Sequence, residues 1–268
     1  MPVGTLVGTV IDNFANQRTD RTAYIIPLGI VYIAPGILAV GLLFIPESPR
    51  WLLAKGGNED AAIKSLRWLR PQGWAVDTEF NEMRSALETE QRLQSDVGIV
   101  DLFKNPVDRR RTLLSAGALL CQASSGSMFI IAFGTYFFAI AGIGEPFRNS
   151  VILIAVGVLA LLINGTVVTR LGYRRTMLLT GMLLCGICQL VIAAVWQASP
   201  FAQASGNTVV ALSCIYVFFY SGCVSTYAWV AGGEIPSQRL RSHTFGLATA
   251  IAFLGAVRPA MVAWHPLY

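Results

Sequence analysis

Charge is what this sequence lacks. Asp, Glu, Lys and Arg make up 13% of its 268 residues, where ordinary globular chains carry roughly 25%. The few charges are clumped: none occurs from Thr112 to Ile143 or from Thr176 to Gly233. Runs of that length need lipid or a very large core around them, and the chain is too short for the second. Histidine is nearly absent. His243 and His265 have no ligand cluster beside them in the sequence, so no metal and no other cofactor is expected. Five cysteines, Cys121, Cys185, Cys188, Cys214 and Cys223, lie inside apolar runs, where a disulfide framework or zinc site would lack polar loops to support it. Cys185 and Cys188, although spaced C-x-x-C, are therefore read as packing thiols. No charged segment with a small-residue cleavage site precedes the first apolar stretch, so no signal peptide is expected. These absences argue against a secreted or cytosolic enzyme, and the chain is not expected to be an enzyme.

What is present is apolar: 54% of residues are hydrophobic and the mean hydropathy is +0.57. A membrane-crossing helix needs about 20 mostly apolar residues. Tyr24 to Ile45, Leu113 to Phe138, Val151 to Val168, Met177 to Ala198 and Thr208 to Ala231 meet or approach that length. Val3 to Ile11 is too short to cross, and a run from Thr244 is expected to stop at Arg258 and Pro259. The net charge of +5 is then a topology signal, with no nucleic-acid partner implied. Lys and Arg gather on the cytoplasmic side of membrane proteins. Here every second loop is basic: Arg50 through Arg111, then Arg170, Arg174 and Arg175, then Arg239 and Arg241. Loops 46–111, 170–175 and 234–241 are thus expected in the cytoplasm and the intervening loops outside.

Pro46 to Arg111 reads as short helices. Asn58 can cap one whose Ala62, Leu66 and Leu69 recur at helical spacing. Asp77 opens a second with Phe80, Met83 and Leu87 on one face, and a third is expected around Ile99 to Phe103. The alternative, a disordered linker of mixed charge, fits this regular spacing less well.

The string Phe44-Ile45-Pro46-Glu47-Ser48-Pro49-Arg50-Trp51-Leu52 ends one span with two prolines and a pair of opposite charges. It resembles the signature that closes the sixth transmembrane helix of sugar porters in the major facilitator superfamily. Arg170-Leu171-Gly172-Tyr173-Arg174-Arg175 resembles that superfamily's loop between helices eight and nine, with Thr169 where the family has Asp. Trp229, Glu234-Ile235-Pro236, Arg239 and Arg241 resemble the end of the tenth helix and its turn. Gln122, Gly126, Gly134 to Phe138 and Ala141-Gly142 resemble the seventh helix, in the manner of fungal α-glucoside (maltose-type) proton symporters.

The resemblance implies an all-α membrane protein, a major facilitator bundle of about six to seven of the twelve transmembrane helices, with a short cytoplasmic helical domain. Residues 1–45 would hold the end of the fifth helix and the sixth. Residues 46–111 would be the cytoplasmic helical loop, 112–257 helices seven to eleven with the last incomplete, and 258–268 an aberrant tail. Helices one to four would be missing, as from an altered reading frame or incomplete gene model. The implied function is sugar transport, as proton-coupled uptake of a hexose or α-glucoside by alternating access at the plasma membrane, with the lipid bilayer and protons as partners. The other reading is a truncated, non-transporting relic, or a membrane sugar sensor or partner protein.

A buried sugar site needs amides that both donate and accept and an aromatic plate for the ring's apolar face. Gln122, Ser125 and Trp229 match substrate-binding positions of the family; Gln122 could instead make an interhelical hydrogen bond, and Trp229 could anchor or pack. Ala123 and Met128 stand where hexose carriers have a second Gln and an Asn, a departure towards another substrate. An inner gate of ion pairs is implied for Glu47, Arg50, Arg170, Arg174, Arg175, Glu234, Arg239 and Arg241, with Glu234 meeting Arg170 or Arg174. Asn164-Gly165-Thr166 fits the glycosylation pattern but lies within a span and is expected to be unmodified.

Overall fold

A computed structural model of the chain describes residues 2–56, 58–94, 98–140, 142–171, 173–199 and 202–264. No strand occurs among them. The helices run α1 Pro2–Ala15, α2 Thr22–Val31, α3 Ile33–Leu42, α4 Pro49–Gly56, α5 Glu59–Leu69, α6 Val76–Gln94, α7 Asp101–Lys104, α8 Pro106–Ser124, α9 Ser127–Ile140, α10 Pro146–Leu171, α11 Arg174–Ala198, α12 Gln203–Phe219, α13 Thr226–Glu234 and α14 Arg241–Trp264. Among the described residues, six helical stretches are long and apolar enough to cross a membrane: Thr22–Leu42, Pro106–Ala139, Pro146–Thr166, Arg174–Ala198, Gln203–Glu234 and Gln238–Val257.

The chain divides into two compact units. One comprises residues 28–101 and 238–240. Its polar part is built on α4, α5 and α6, which bury Leu53, Ala62, Leu66 and Phe80 together, while Met83 and Leu87 pack partly buried against them. Asn58 accepts the Ala61 amide at 3.2 Å, capping α5 as its position before Glu59 and Asp60 requires. Leu69 departs from the expected face and is 45% exposed. It is the last residue of α5, before Arg70 turns extended, so it lies at the end of the apolar stripe. The third helix shrinks to the single turn Asp101–Lys104, because the Asp101 carboxylate accepts the Gly98 amide at 2.8 Å and holds the preceding residues in a turn. Residues 238–240 form one 3₁₀ turn that packs on α6 and buries Leu240. None of the residues of α3 is buried, the pattern of a helix whose large apolar side chains meet lipid rather than water.

The other unit comprises residues 1–27, 102–237 and 241–268. Its principal core gathers Phe138, Leu153, Cys185, Val209, Tyr216 and Val224 from α9 to α12 and the segment after α12. Gly181 of α11 lies against the segment after α12: a Cβ there would stand 2.6 Å from Cys223 Cβ, so only hydrogen fits. A second seam joins α8 to α14 through Ala116 and Ala123 on one side and Ala248, Ala252 and Ala256 on the other. Alanines four residues apart make one smooth stripe on a helix, which suits association in lipid, where packing rather than water exclusion drives contact. The apolar span ends at Val257, just before Arg258 and Pro259, while α14 itself winds on to Trp264. Proline is tolerated inside membrane helices because neighbouring groups take over the freed backbone partner.

Candidate functional site

Two of the spans are interrupted near their middles, and the interruptions meet. The first separates α8 from α9 at Ser125 and Gly126. Gly126 has φ +87°, a left-handed conformation that side-chain-bearing residues adopt only at a cost. A Cβ there would also approach Nε2 of Gln189, from α11, to 3.1 Å. The second separates α12 from α13, where Tyr220–Ser225 winds as a π-helix. Wide turns of this kind collect at functional sites.

A break in a membrane span frees carbonyls that lipid cannot satisfy. Here side chains answer them. The Ser125 hydroxyl donates to the Gln122 carbonyl at 2.7 Å, and the Tyr216 hydroxyl donates to the Ser125 carbonyl at 3.0 Å. In the π turn, Thr226 Oγ1 donates to the Ser221 carbonyl at 3.3 Å. The Gln122 side chain is buried, and its Nε2 donates to the Tyr220 hydroxyl at 2.8 Å. Tyr216 and Tyr220, one helical turn apart, stack with ring centroids 5.9 Å apart and planes 8° from parallel. Two amides, Gln122 and, from α11, Gln189, thus meet a serine and two phenols where the broken helices approach, without a formal charge.

Of the residues anticipated for substrate, Gln122 and Ser125 are together here. Trp229 is elsewhere: 39% exposed on α13, it packs on Phe245 of α14 with centroids 5.9 Å apart. Met128 has its side chain outside the described residues. The two phenols carry no family motif, yet Tyr216 and Tyr220 at a spacing of four within an otherwise apolar run are a legible polar stripe. Asn164, which fits a glycosylation pattern in sequence, accepts the Tyr227 hydroxyl on its Oδ1 at 3.2 Å, between α10 and α13.

The anticipated ion-pair residues divide between the two units. Arg174 is paired with Glu234. Arg174 opens α11 and Glu234 ends α13, so each charge sits at the helix terminus whose dipole disfavours it. Their pairing offsets both mismatches. Arg175, Arg239 and Arg241 are exposed and make no ion pair with the described residues, and the Arg170 side chain lies outside the described residues. In the other unit Arg50 pairs with Glu90 of α6 rather than with a gate residue, and the Glu47 carbonyl accepts the Ser65 hydroxyl at 2.5 Å. Among the described residues no cluster of His, Cys, Asp and Glu is arranged to hold a metal.

Comparison with known proteins agrees with this architecture. The family model described as "Sugar (and other) transporter" matches residues 1–262. A protein named "Probable glucose transporter" from Neurospora crassa is 31% identical over 252 residues, 92% of this chain and 42% of that protein. A "General alpha-glucoside permease" of Saccharomyces cerevisiae is 31% identical over 269 residues, 97% of this chain and 42% of the permease. A "High glucose sensor" of the same yeast is 28% identical over 261 residues, 94% of this chain and 34% of the sensor. The chain thus spans less than half the length of each of these relatives. With spans interrupted where polar groups converge and a family match along almost its whole length, this multi-pass membrane protein, not an enzyme, belongs to the sugar transporter family of the major facilitator type.

Proposed function

We propose that this chain contributes the Gln122 side of the sugar site, and the inner gate, of a proton-coupled carrier that takes up a hexose or α-glucoside by alternating access at the plasma membrane. The observation that carries the reading is the meeting of two broken helices at Gln122 and Tyr220. Discontinuous helices supply the binding groups of many transporters, because their breaks free polar backbone at mid-membrane. Gln122 both donates and accepts, as a sugar hydroxyl demands. One of its two N–H donors is spent on the Tyr220 hydroxyl, chemically the equivalent of a sugar hydroxyl, so an entering sugar would exchange one hydroxyl partner for another at little cost. Trp229, half-exposed, is the aromatic surface nearer the gate end of α13.

On the orientation set by the basic loops, the Arg174–Glu234 pair closes the cytoplasmic mouth, with Arg170, Arg175, Arg239 and Arg241 as the surrounding positive charge. Glu47 and Arg50 belong to that cytoplasmic side by the same orientation. The sensor reading is favoured by one observation, the similarity to a relative named a high glucose sensor.

Equilibrium binding of labelled maltose and glucose to the chain in nanodiscs tests the site directly. Gln122→Ala is expected to weaken binding by about tenfold, the worth of one or two buried hydrogen bonds. Equal binding by the variant would remove Gln122 from the site. Where binding holds, labelled uptake in transporter-null cells with and without a protonophore separates a coupled carrier from a sensor.

A further inference from the structure

At the other end of the same helices lies a cavity with no role in the site above. It has a volume of about 370 Å³ and is formed where α9 turns into α10 and α11 turns into α12. Gly142, Ile143 and Gly144 make one wall; Trp196, near the end of α11, and Gln203 and Asn207, on the first turns of α12, make the other. Ligand pockets range over about 300–1,000 Å³, so this one accommodates a single sugar ring rather than an extended chain. Its lining has the composition that a pyranose recognises. Trp196 is half-buried and braced by Phe137, ring centroids 6.2 Å apart, which holds the indole as a fixed aromatic surface. Gln203 and Asn207 lie one helical turn apart, so both amides project from the same face of α12. Both are exposed, and neither side chain has a hydrogen-bond partner among the described residues. Two free amides beside an aromatic plate offer donors and acceptors to vicinal hydroxyls and an apolar surface to the C–H face of the ring. Acidic and basic side chains are absent from the lining, which disfavours a charged ligand.

We propose that this cavity is an outer saccharide-binding subsite, distinct from the Gln122 site, that takes one glucosyl unit of a free sugar at the face opposite the basic loops. The assignment rests on the sugar-carrier reading and on the orientation given there. It places a shallow, water-accessible encounter site at the outer ends of two of the helices that form the buried one.

The test uses the whole chain in phosphatidylcholine nanodiscs, with maltose and methyl α-glucoside as probes and two readouts, radiolabelled binding and indole fluorescence. In the unsubstituted chain, sugar is expected to change the fluorescence. Trp196→Phe, which retains an aromatic ring against Phe137, abolishes that change while leaving radiolabel bound at the Gln122 site. The double variant Gln203→Ala and Asn207→Ala shifts the fluorescence titration about tenfold to higher sugar, whereas Gln122→Ala leaves it in place. Size-exclusion profiles identical to the parent establish that the variants are folded. A fluorescence change lost in Gln122→Ala but kept in the double variant would overturn the outer subsite alone and leave the carrier reading standing. Absence of any sugar binding to the unsubstituted chain would sink both.

Discussion

The α4 to α6 cluster and the interrupted spans α8–α9 and α12–α13 meet the same demand by opposite means. Each must satisfy backbone groups where a helix ends. In the cluster, the start of α5 is capped locally by Asn58, and surface charges pair across turns: Arg70 holds Glu79, and Arg84 reaches Glu59 at 2.8 Å. In the spans, the ends at Ser125 and Ser221 are answered by hydroxyls, one of them, Tyr216, from another helix. Water at hand makes a break cheap and local. Its absence makes a break expensive, so it survives only where nearby hydroxyls and a partner helix, here through Tyr216, are placed to answer it. That difference also separates a scaffold from a site, since the nonlocal groups can exchange partners with a ligand.

Substitutions can break or sharpen this contrast. The largest effect is expected from Leu66→Ala, which empties the cluster's core at a cost of about 2–5 kcal/mol; hydrogen exchange should rise across α4 to α6 while maltose binding stays unchanged. Gly126→Val forces a β-branched residue into the left-handed region at about 1–3 kcal/mol. It should lower the thermal midpoint in detergent and abolish sugar binding together, because the bend and the site are one feature. Tyr216→Phe keeps the ring and deletes the donor to Ser125, for about 1 kcal/mol; the expected outcome is a small loss of thermal stability with a clear loss of affinity.

Smaller still is the effect of removing the Arg174–Glu234 pair by Arg174→Gln, about 0–1 kcal/mol for an exposed pair. Restoring opposite charges by the swap of Arg174→Glu with Glu234→Arg should recover accessibility patterns at the mouth, read by cysteine labelling. The least is a pH effect in the cluster. The Arg70 guanidinium, hydrogen-bonded to Glu79, holds its carboxyl below the ordinary 4.5, with Trp74 adding a second donor. A depressed carboxylate stabilises the fold fully above pH 4.5, and that contribution fades as pH falls through the lower folded value. Hydrogen exchange at α5 and α6 should therefore rise on acidification, and the rise should vanish in Glu79→Gln.

Sequence periodicity located the spans, the Asn58 cap and the α5–α6 core because each is set by residues close together along the chain. Gln122 draws notice through the resemblance of its run to the family's seventh helix, and its buried hydrogen bond to Tyr220 depends on a residue 98 positions away. The bends were not legible, since Gly126 and Ser221 become breaks only when Tyr216 and Thr226 stand ready to satisfy them. Arg50 illustrates the same limit: its partner Glu90 is forty residues away, and many nearer acidic residues were equally plausible by spacing. The family resemblance offers Trp229 as a substrate-binding aromatic plate, while its neighbour Phe245 is set by how α13 meets α14.

The dipole-opposed arginine and glutamate give the protein a clasp whose grip depends on the surrounding electrolyte. Both partners are more than half exposed, so counterions at physiological strength, with a screening distance of about 8 Å, thin their attraction. The phenol contacts deep in the bundle are shielded from those ions. Raising potassium chloride should therefore loosen this ion pair without disturbing the Tyr216 and Tyr220 contacts.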